Sequence, residues 1–147
     1  MALRLRPTFF SLTKNTNQHT HRLNVFSSPL FNSRQKHYLA ADSETFKRRL
    51  NQHDGKLVIV DFYADWCGPC RVLSPTLENI TSNTKYSNGK EVDLFTIDTD
   101  AEGELAVKYK VSALPTVIAL RDGQVLEQFI GAQPPATVES WIKRLST

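Results

Sequence analysis

The chain is poor in sulfur: of its 147 residues only Cys67 and Cys70 are cysteine. The absence of a second cysteine pair, and the placing of His19, His21, His37 and His53 all upstream at no ligand spacing, argue against a structural zinc site, which takes four ligands. Long apolar runs are missing too, and none approaches the ~20 residues that a membrane-spanning helix requires. Acidic residues are absent from residues 1 to 36, which carry six bases (Arg4, Arg6, Lys14, Arg22, Arg34 and Lys36), whereas residues 37 to 147 carry twelve bases and fifteen acids. The net charge of +3 is therefore a property of the first stretch. The mildly acidic remainder offers no basic stripe for nucleic acid.

That first stretch also lacks the unbroken apolar core of a secretory signal, because Arg4, Arg6 and Pro7 interrupt it. Its mixture of Arg, Ser, Thr and Asn with scattered Leu, Phe and Val is the composition of an organellar transit peptide. The expected organisation is a transit peptide over 1 to 36, disordered or cleaved near Gln35 or Lys36, followed by one domain over 37 to 147. The arginines favour a mitochondrion over a chloroplast, and a plain disordered basic tail is the alternative.

What the chain does have is Trp66-Cys67-Gly68-Pro69-Cys70, set directly behind the apolar run Leu57 to Ala64. Two thiols three positions apart lie on neighbouring faces of one helical turn and can close a small ring. A ring of four residues constrains the unfolded chain very little, so it suits a reversible switch better than a structural staple. A strand before the pair and a helix after it place it in a βα unit, the setting of a redox motif.

Around this centre, His37 to Ala40 reads as a short strand, and Asp42 or Ser43 caps a helix with Phe46 and Leu50 at i and i+4. The charged residues Lys47, Arg48 and Arg49 of that helix are expected in water. Leu57 to Tyr63 reads as a strand buried on both faces. Asp61 inside it would cost several kcal/mol if ionised and unpaired, so it is expected to be protonated, hydrated or used. Val72, Leu73, Leu77 and Ile80 recur at helical spacing, with Pro75 predicting a kink. A polar loop over 83 to 90 leads to an alternating strand, Val92 to Ile97, and a short helix, Glu104 to Lys110. Thr116 to Arg121 and Gln124 to Ile130 form a hairpin about Asp122-Gly123, and Thr137 caps a last helix with Val138, Trp141, Ile142 and Leu145 on its core side. The class is α/β: a mixed central sheet, parallel core plus antiparallel hairpin, flanked by helices.

Taken together, Val60-Asp61-Phe62-Tyr63-Ala64 before Trp66-Cys67-Gly68-Pro69-Cys70, then Pro75, Leu114-Pro115-Thr116, Asp122-Gly123 and Gly131-Ala132, resemble the thioredoxin family over residues 37 to 147. With the basic stretch in front, the resemblance is to its mitochondrial type. It implies the thioredoxin fold, with a cis peptide at Leu114-Pro115 packed against the cysteines. Two positions depart from the common pattern. Tyr63 stands where a Trp is often found, and Leu94 where many members carry a lysine beside the buried acid, which leaves the acid form of Asp61 more favoured.

The resemblance implies a role for each site residue. Cys67, at the helix N-terminus, is the nucleophile, Cys70 the resolving thiol and Asp61 the general base. Gly68 and Pro69 supply no cation to stabilise a thiolate, so the direction is that of a reductant. Trp66, Pro69, Leu114, Pro115, Gly131 and Ala132 form a docking rim on which the Leu114 backbone pairs with an extended target. No cofactor or metal is bound. Electrons come from NADPH through a thioredoxin reductase and pass to disulfide-containing proteins such as peroxiredoxins, and the chain is a monomer in the mitochondrial matrix. Two other readings compete: an oxidase or isomerase resembling protein disulfide isomerase, and a redox-inactive binding module on the same fold.

Overall fold

The apolar run Leu57–Tyr63 forms the strand β2, and every residue in it except Tyr63 is buried. The structure, a computed structural model, describes residues 36–147; the expected transit peptide, apart from Lys36, lies outside the described residues. Around β2 the order is β1 His37–Tyr38, α1 Ser43–Leu50, β2, α2 Cys70–Thr81, β3 Val92–Asp98, α3 Gly103–Lys108, β4 Thr116–Arg121, β5 Gln124–Ile130 and α4 Pro135–Leu145. The five strands lie in the order β1-β3-β2-β4-β5. β3 runs parallel to β1 and β2, whereas β4 is antiparallel to β2 and to β5. This is the mixed sheet expected from the sequence.

Both sheet faces are covered. On one, Ile59, Leu94, Val117 and Ala119 pack with Leu73 and Leu77 of α2 and Val138 and Ile142 of α4. On the other, Val60, Phe62, Phe95 and Ile118 pack with Phe46 of α1 and Leu105 of α3. Each of these side chains larger than Ala119 contributes about 1.5–3 kcal/mol by leaving water. The hairpin turn has Asp122 and Gly123 at φ 50° and 79°, the left-handed backbone that matches strand twist and that an Asp-Gly pair supplies.

Several details differ from the expectation. Arg49 does not meet water: it is 4% exposed, and its guanidinium reaches Asp93 at 2.5 Å and Asp54 at 3.2 Å. β3 does not alternate between core and solvent, since helices cover both its sides and bury Asp93 with the rest. Val72 points outward and is 70% exposed. The loop at 83–90 contains a 3-10 turn, Thr84–Ser87, with Tyr86 packed against the α2 and α4 core. The last helix starts at Pro135 after Pro134, not at Thr137, because a proline at the first helical position gives up no hydrogen bond and already has a helical φ. Lys36, expected in the transit peptide, is tied to β3 through its N–H to Asp93 and its carbonyl to the Leu94 N–H, both at 2.9 Å.

Candidate active site

At the end of β2 the chain turns sharply enough for the Cys67 N–H to bond the Ala64 carbonyl at 3.0 Å. Pro69 then takes the position before α2, and Cys70 is the helix's first residue. Cys67 and Cys70 form a disulfide with Cα atoms 5.4 Å apart. The two are almost equally covered in this oxidised form, at 4% and 2% exposure. Position, more than exposure, distinguishes them. The backbone N–H of Cys70 donates to Cys67 Sγ at 3.3 Å, so the first amide of the helix is aimed at the sulfur preceding it. An unsatisfied N–H and the positive end of the helix dipole are what favour a thiolate there.

The other expected residues converge on this sulfur pair to different degrees. The Leu114-Pro115 peptide is cis, Pro115 is buried, and Leu114 packs with Tyr63 against Ala64, Cys67 and Cys70. Gly131 has φ +85° and donates its N–H to the Pro115 carbonyl at 2.8 Å, which ties the end of β5 to the cis proline. A side chain there would have to adopt a backbone conformation that only glycine takes without strain. Ala132, Gly68 and Pro69 lie exposed. Trp66 is 68% exposed, its indole N–H held by Asp100 at 2.9 Å. A large apolar ring fixed at the surface by one polar contact is a common feature of binding rims.

Asp61 is fully buried. Its Oδ2 accepts a hydrogen bond from the Ser74 hydroxyl at 2.5 Å, while its Oδ1 has no hydrogen-bond partner among the described residues. Burial pushes this acid up to about 6, the Ser74 hydrogen bond opposes the rise, and the charge of Glu78 adds to it. No cation contributes. Leu94, the position at which the family resemblance implies a lysine, is itself buried in the apolar cluster with Ile59. The site thus holds a carboxylate that is ionised around pH 7 and returns to the acid form only slightly below it.

Ser74, Glu78 and Asp100 are the polar residues that sequence reasoning passed over. The signal for two of them was present: Cys70, Ser74 and Glu78 follow at intervals of four, so they share one face of α2. Cys70, Ser74 and Glu78 line a cleft of about 400 Å³ together with Tyr63 and Thr96. Among the described residues no group of three His, Cys, Asp or Glu side chains is placed to hold a metal ion.

Comparison with known proteins matches residues 37–144 to the family described as Thioredoxin. The mitochondrial thioredoxin of Mus musculus is 41% identical over 88 residues, which are 60% of this chain and 51% of the mouse protein. The chain thus spans about half the length of that curated relative. Thioredoxin Asp f 29 of Aspergillus fumigatus is 37% identical over 102 residues, covering 69% of this chain and 88% of the fungal one. The X-ray structure of Fasciola hepatica thioredoxin superposes with a TM-score of 0.62 at 33% identity, covering 73% of this chain and 97% of that one. With the family match running from β1 into α4, through the cysteine pair and the cis proline, this chain belongs to the thioredoxin family.

Proposed function

We propose that this protein is a protein-disulfide reductase, an oxidoreductase whose only redox group is the Cys67–Cys70 pair. The observation that carries the reading is a disulfide at the first turn of α2 on the same helix face as the hydroxyl that holds a buried acid, Asp61. In the reduced form Cys67 attacks a disulfide sulfur of the target as a thiolate. One target sulfur leaves as thiolate and a mixed disulfide forms. The Cys70 thiol then gives its proton to Asp61 and attacks Cys67 Sγ. That step restores the Cys67–Cys70 disulfide and releases the target with both sulfurs reduced. The two electrons gained by the target come from the dithiol, which is replenished by NADPH through a thioredoxin reductase.

Gly68 and Pro69 place no cation between the sulfurs, so nothing beyond the helix start stabilises the reduced form, and the pair donates electrons rather than accepting them. An extended target segment lies on the rim of Trp66, Pro69, Leu114, Pro115, Gly131 and Ala132, with peroxiredoxins among the targets and a monomer as the working unit. The 41% identity with a mitochondrial thioredoxin suggests a mitochondrial protein. The basic, acid-free residues 1 to 36 support a transit peptide that delivers the domain to the matrix.

Insulin reduction with NADPH and a thioredoxin reductase tests the activity. Turbidity that develops only with all components, and NADPH consumption lost in Cys67→Ser, are expected; an inert parent protein, or one that only oxidises reduced substrates, overturns the reading. A fluorescent reporter carrying residues 1 to 36 tests the location, and chloroplast or diffuse fluorescence rejects it.

A further inference from the structure

Asp61 raises a question that the cysteine chemistry alone leaves open. A base buried at the centre of a sheet must be held in a usable orientation and must lose the proton it collects. The groups around it are few. On its own strand the nearest titratable side chain on the same face is Tyr63. The neighbouring strands place Thr96 and Val117 beside it in register. On that face of the sheet α4 contributes the apolar Val138 and Ile142. From α2 come Ser74 and the one charged group that acts on it, Glu78, with Cys70 one turn before Ser74 on the same helix face. Of all these only Ser74 makes a hydrogen bond to the carboxylate, at 2.5 Å. Ser74 is also the residue through which the buried acid meets the cleft, since it lines that cleft with Cys70 and Glu78 while Asp61 itself does not.

We propose that Ser74 is a positioning residue for the resolving step, its hydroxyl clamping Asp61 Oδ2 so that the carboxylate presents Oδ1 to the Cys70 proton beside the cleft. This rests on the reductase reading above. The proton balance is simple: the Cys70 thiol loses it, Asp61 Oδ1 gains it, and the acid returns it to solvent on the cleft side, where Ser74 and Glu78 are half-exposed. The arrangement does the work of a cation in a chain that has Leu94 instead of lysine nearby. A hydroxyl donor favours the ionised carboxylate, and it is the single group here that does so. Glu78, at the next turn, acts in the opposite sense.

The test is a carboxyl-carbon NMR titration of Asp61 in the oxidised full chain, with Asp61→Asn identifying the signal, alongside the pH dependence of mixed-disulfide resolution. The parent midpoint is expected at about 6. Ser74→Ala should move it upward by roughly one pH unit, a tenfold change in proton affinity. Resolution should then slow about threefold near pH 6.5 and return to the parent rate at high pH. Ser74→Thr should restore both values, and Glu78→Gln should move the midpoint downward. A Ser74→Ala midpoint unchanged from the parent overturns the proposal even with full reductase activity, and so does an equal loss of rate at every pH without a change in midpoint. Failure of the parent to reduce any target is a separate result: it removes the reductase reading, and with it the resolving step that Ser74 serves.

Discussion

Two aspartates sit fully buried on neighbouring strands and face opposite sides of the sheet, Asp93 at 1% exposure and Asp61 at 0%. Asp93 is saturated. Its two oxygens take the Arg49 guanidinium at 2.5 Å and the Lys36 N–H at 2.9 Å, and Arg49 is held in turn by Asp54. Burial works against the Arg49 charge, but the hydrogen bond and field of Asp93, with those of Asp54, outweigh it and hold the guanidinium above its ordinary value. Asp61 has a single protein donor by comparison, the Ser74 hydroxyl on Oδ2. A charge paired inside the fold fixes geometry, in this case α1 and the entry to the sheet, whereas an acid held without a cation and raised toward neutrality fits the proton exchange proposed for Asp61.

Removing one member of the satisfied pair should have the largest effect on stability. Arg49→Met leaves Asp93 buried with its charge unmatched, and such a break costs about 3–5 kcal/mol. Chemical denaturation should show a midpoint lowered accordingly, while turnover of the folded fraction stays near the parent value because Arg49 touches no part of the sulfur site. Asp93→Leu combined with Arg49→Met should recover much of the loss, since apolar pairs of similar volume replace buried ion pairs at little cost. A double variant no better than the single one would mean that the pair specifies the local fold rather than merely neutralising itself.

Asp61→Asn should act in the opposite sense on stability. The folded acid titrates at about 6 against an ordinary 3.8, so the folded protein holds a proton that the unfolded chain has released between those values. Ionising the group in the fold therefore costs stability as pH rises through that window, reaching about 3 kcal/mol above it. The amide should be more stable than the parent at pH 7–8 by up to that amount, and the gain should vanish below pH 4. Turnover should fall about tenfold at neutral pH and recover as rising pH deprotonates Cys70 unaided. Urea midpoints and target reduction across pH 4 to 9 check both. Equal turnover of parent and variant at pH 6 to 7 would leave Asp61 with no part in proton transfer.

The contrast between the two acids was half legible in the sequence. An aspartate within Leu57–Tyr63 is conspicuous because six apolar or aromatic neighbours announce a buried strand, and that strand, like Thr116–Arg121 and Gln124–Ile130, falls on the residues expected. Asp93 gave no such signal. With Thr96 it makes β3 look half polar, and Arg49 beside Lys47 and Arg48 looks like a solvated helix face. Each residue's burial is explained only by the other, 44 positions away, and local periodicity carries no information across that distance. Ser74 is an intermediate case. Its spacing of four from Cys70 was readable, but its contact with Asp61 depends on how closely α2 packs on β2, a tertiary quantity. The cysteine pair was recognisable from its spacing behind a buried strand, whereas the cis peptide at Leu114-Pro115 came only through the family resemblance.

A third acid gives the weakest effect and sharpens the comparison from the solvent side. Glu127 on β5 receives the Arg144 guanidinium at two oxygens, 2.6 and 2.8 Å, and the Trp141 indole N–H at 3.0 Å. By donor count it resembles Asp93, and the Arg144 and Trp141 hydrogen bonds hold it down to about 2 from an ordinary 4.5. Yet the pair is open to water, with side-chain exposures of 40% and 59%, and solvent screens most of what the geometry offers. Its folded value is lowered, so whatever stability it contributes is present above pH 4.5 and is lost as pH falls toward 2. Glu127→Gln should consequently shift the thermal midpoint at pH 7 far less than either buried acid does. The shift should shrink further in 1 M salt and fade as pH falls toward 2, where the parent is itself losing the charge that the variant lacks. A loss at pH 7 as large as that of Arg49→Met, unaffected by salt, would show that donor count and not burial sets the worth of an acid in this fold.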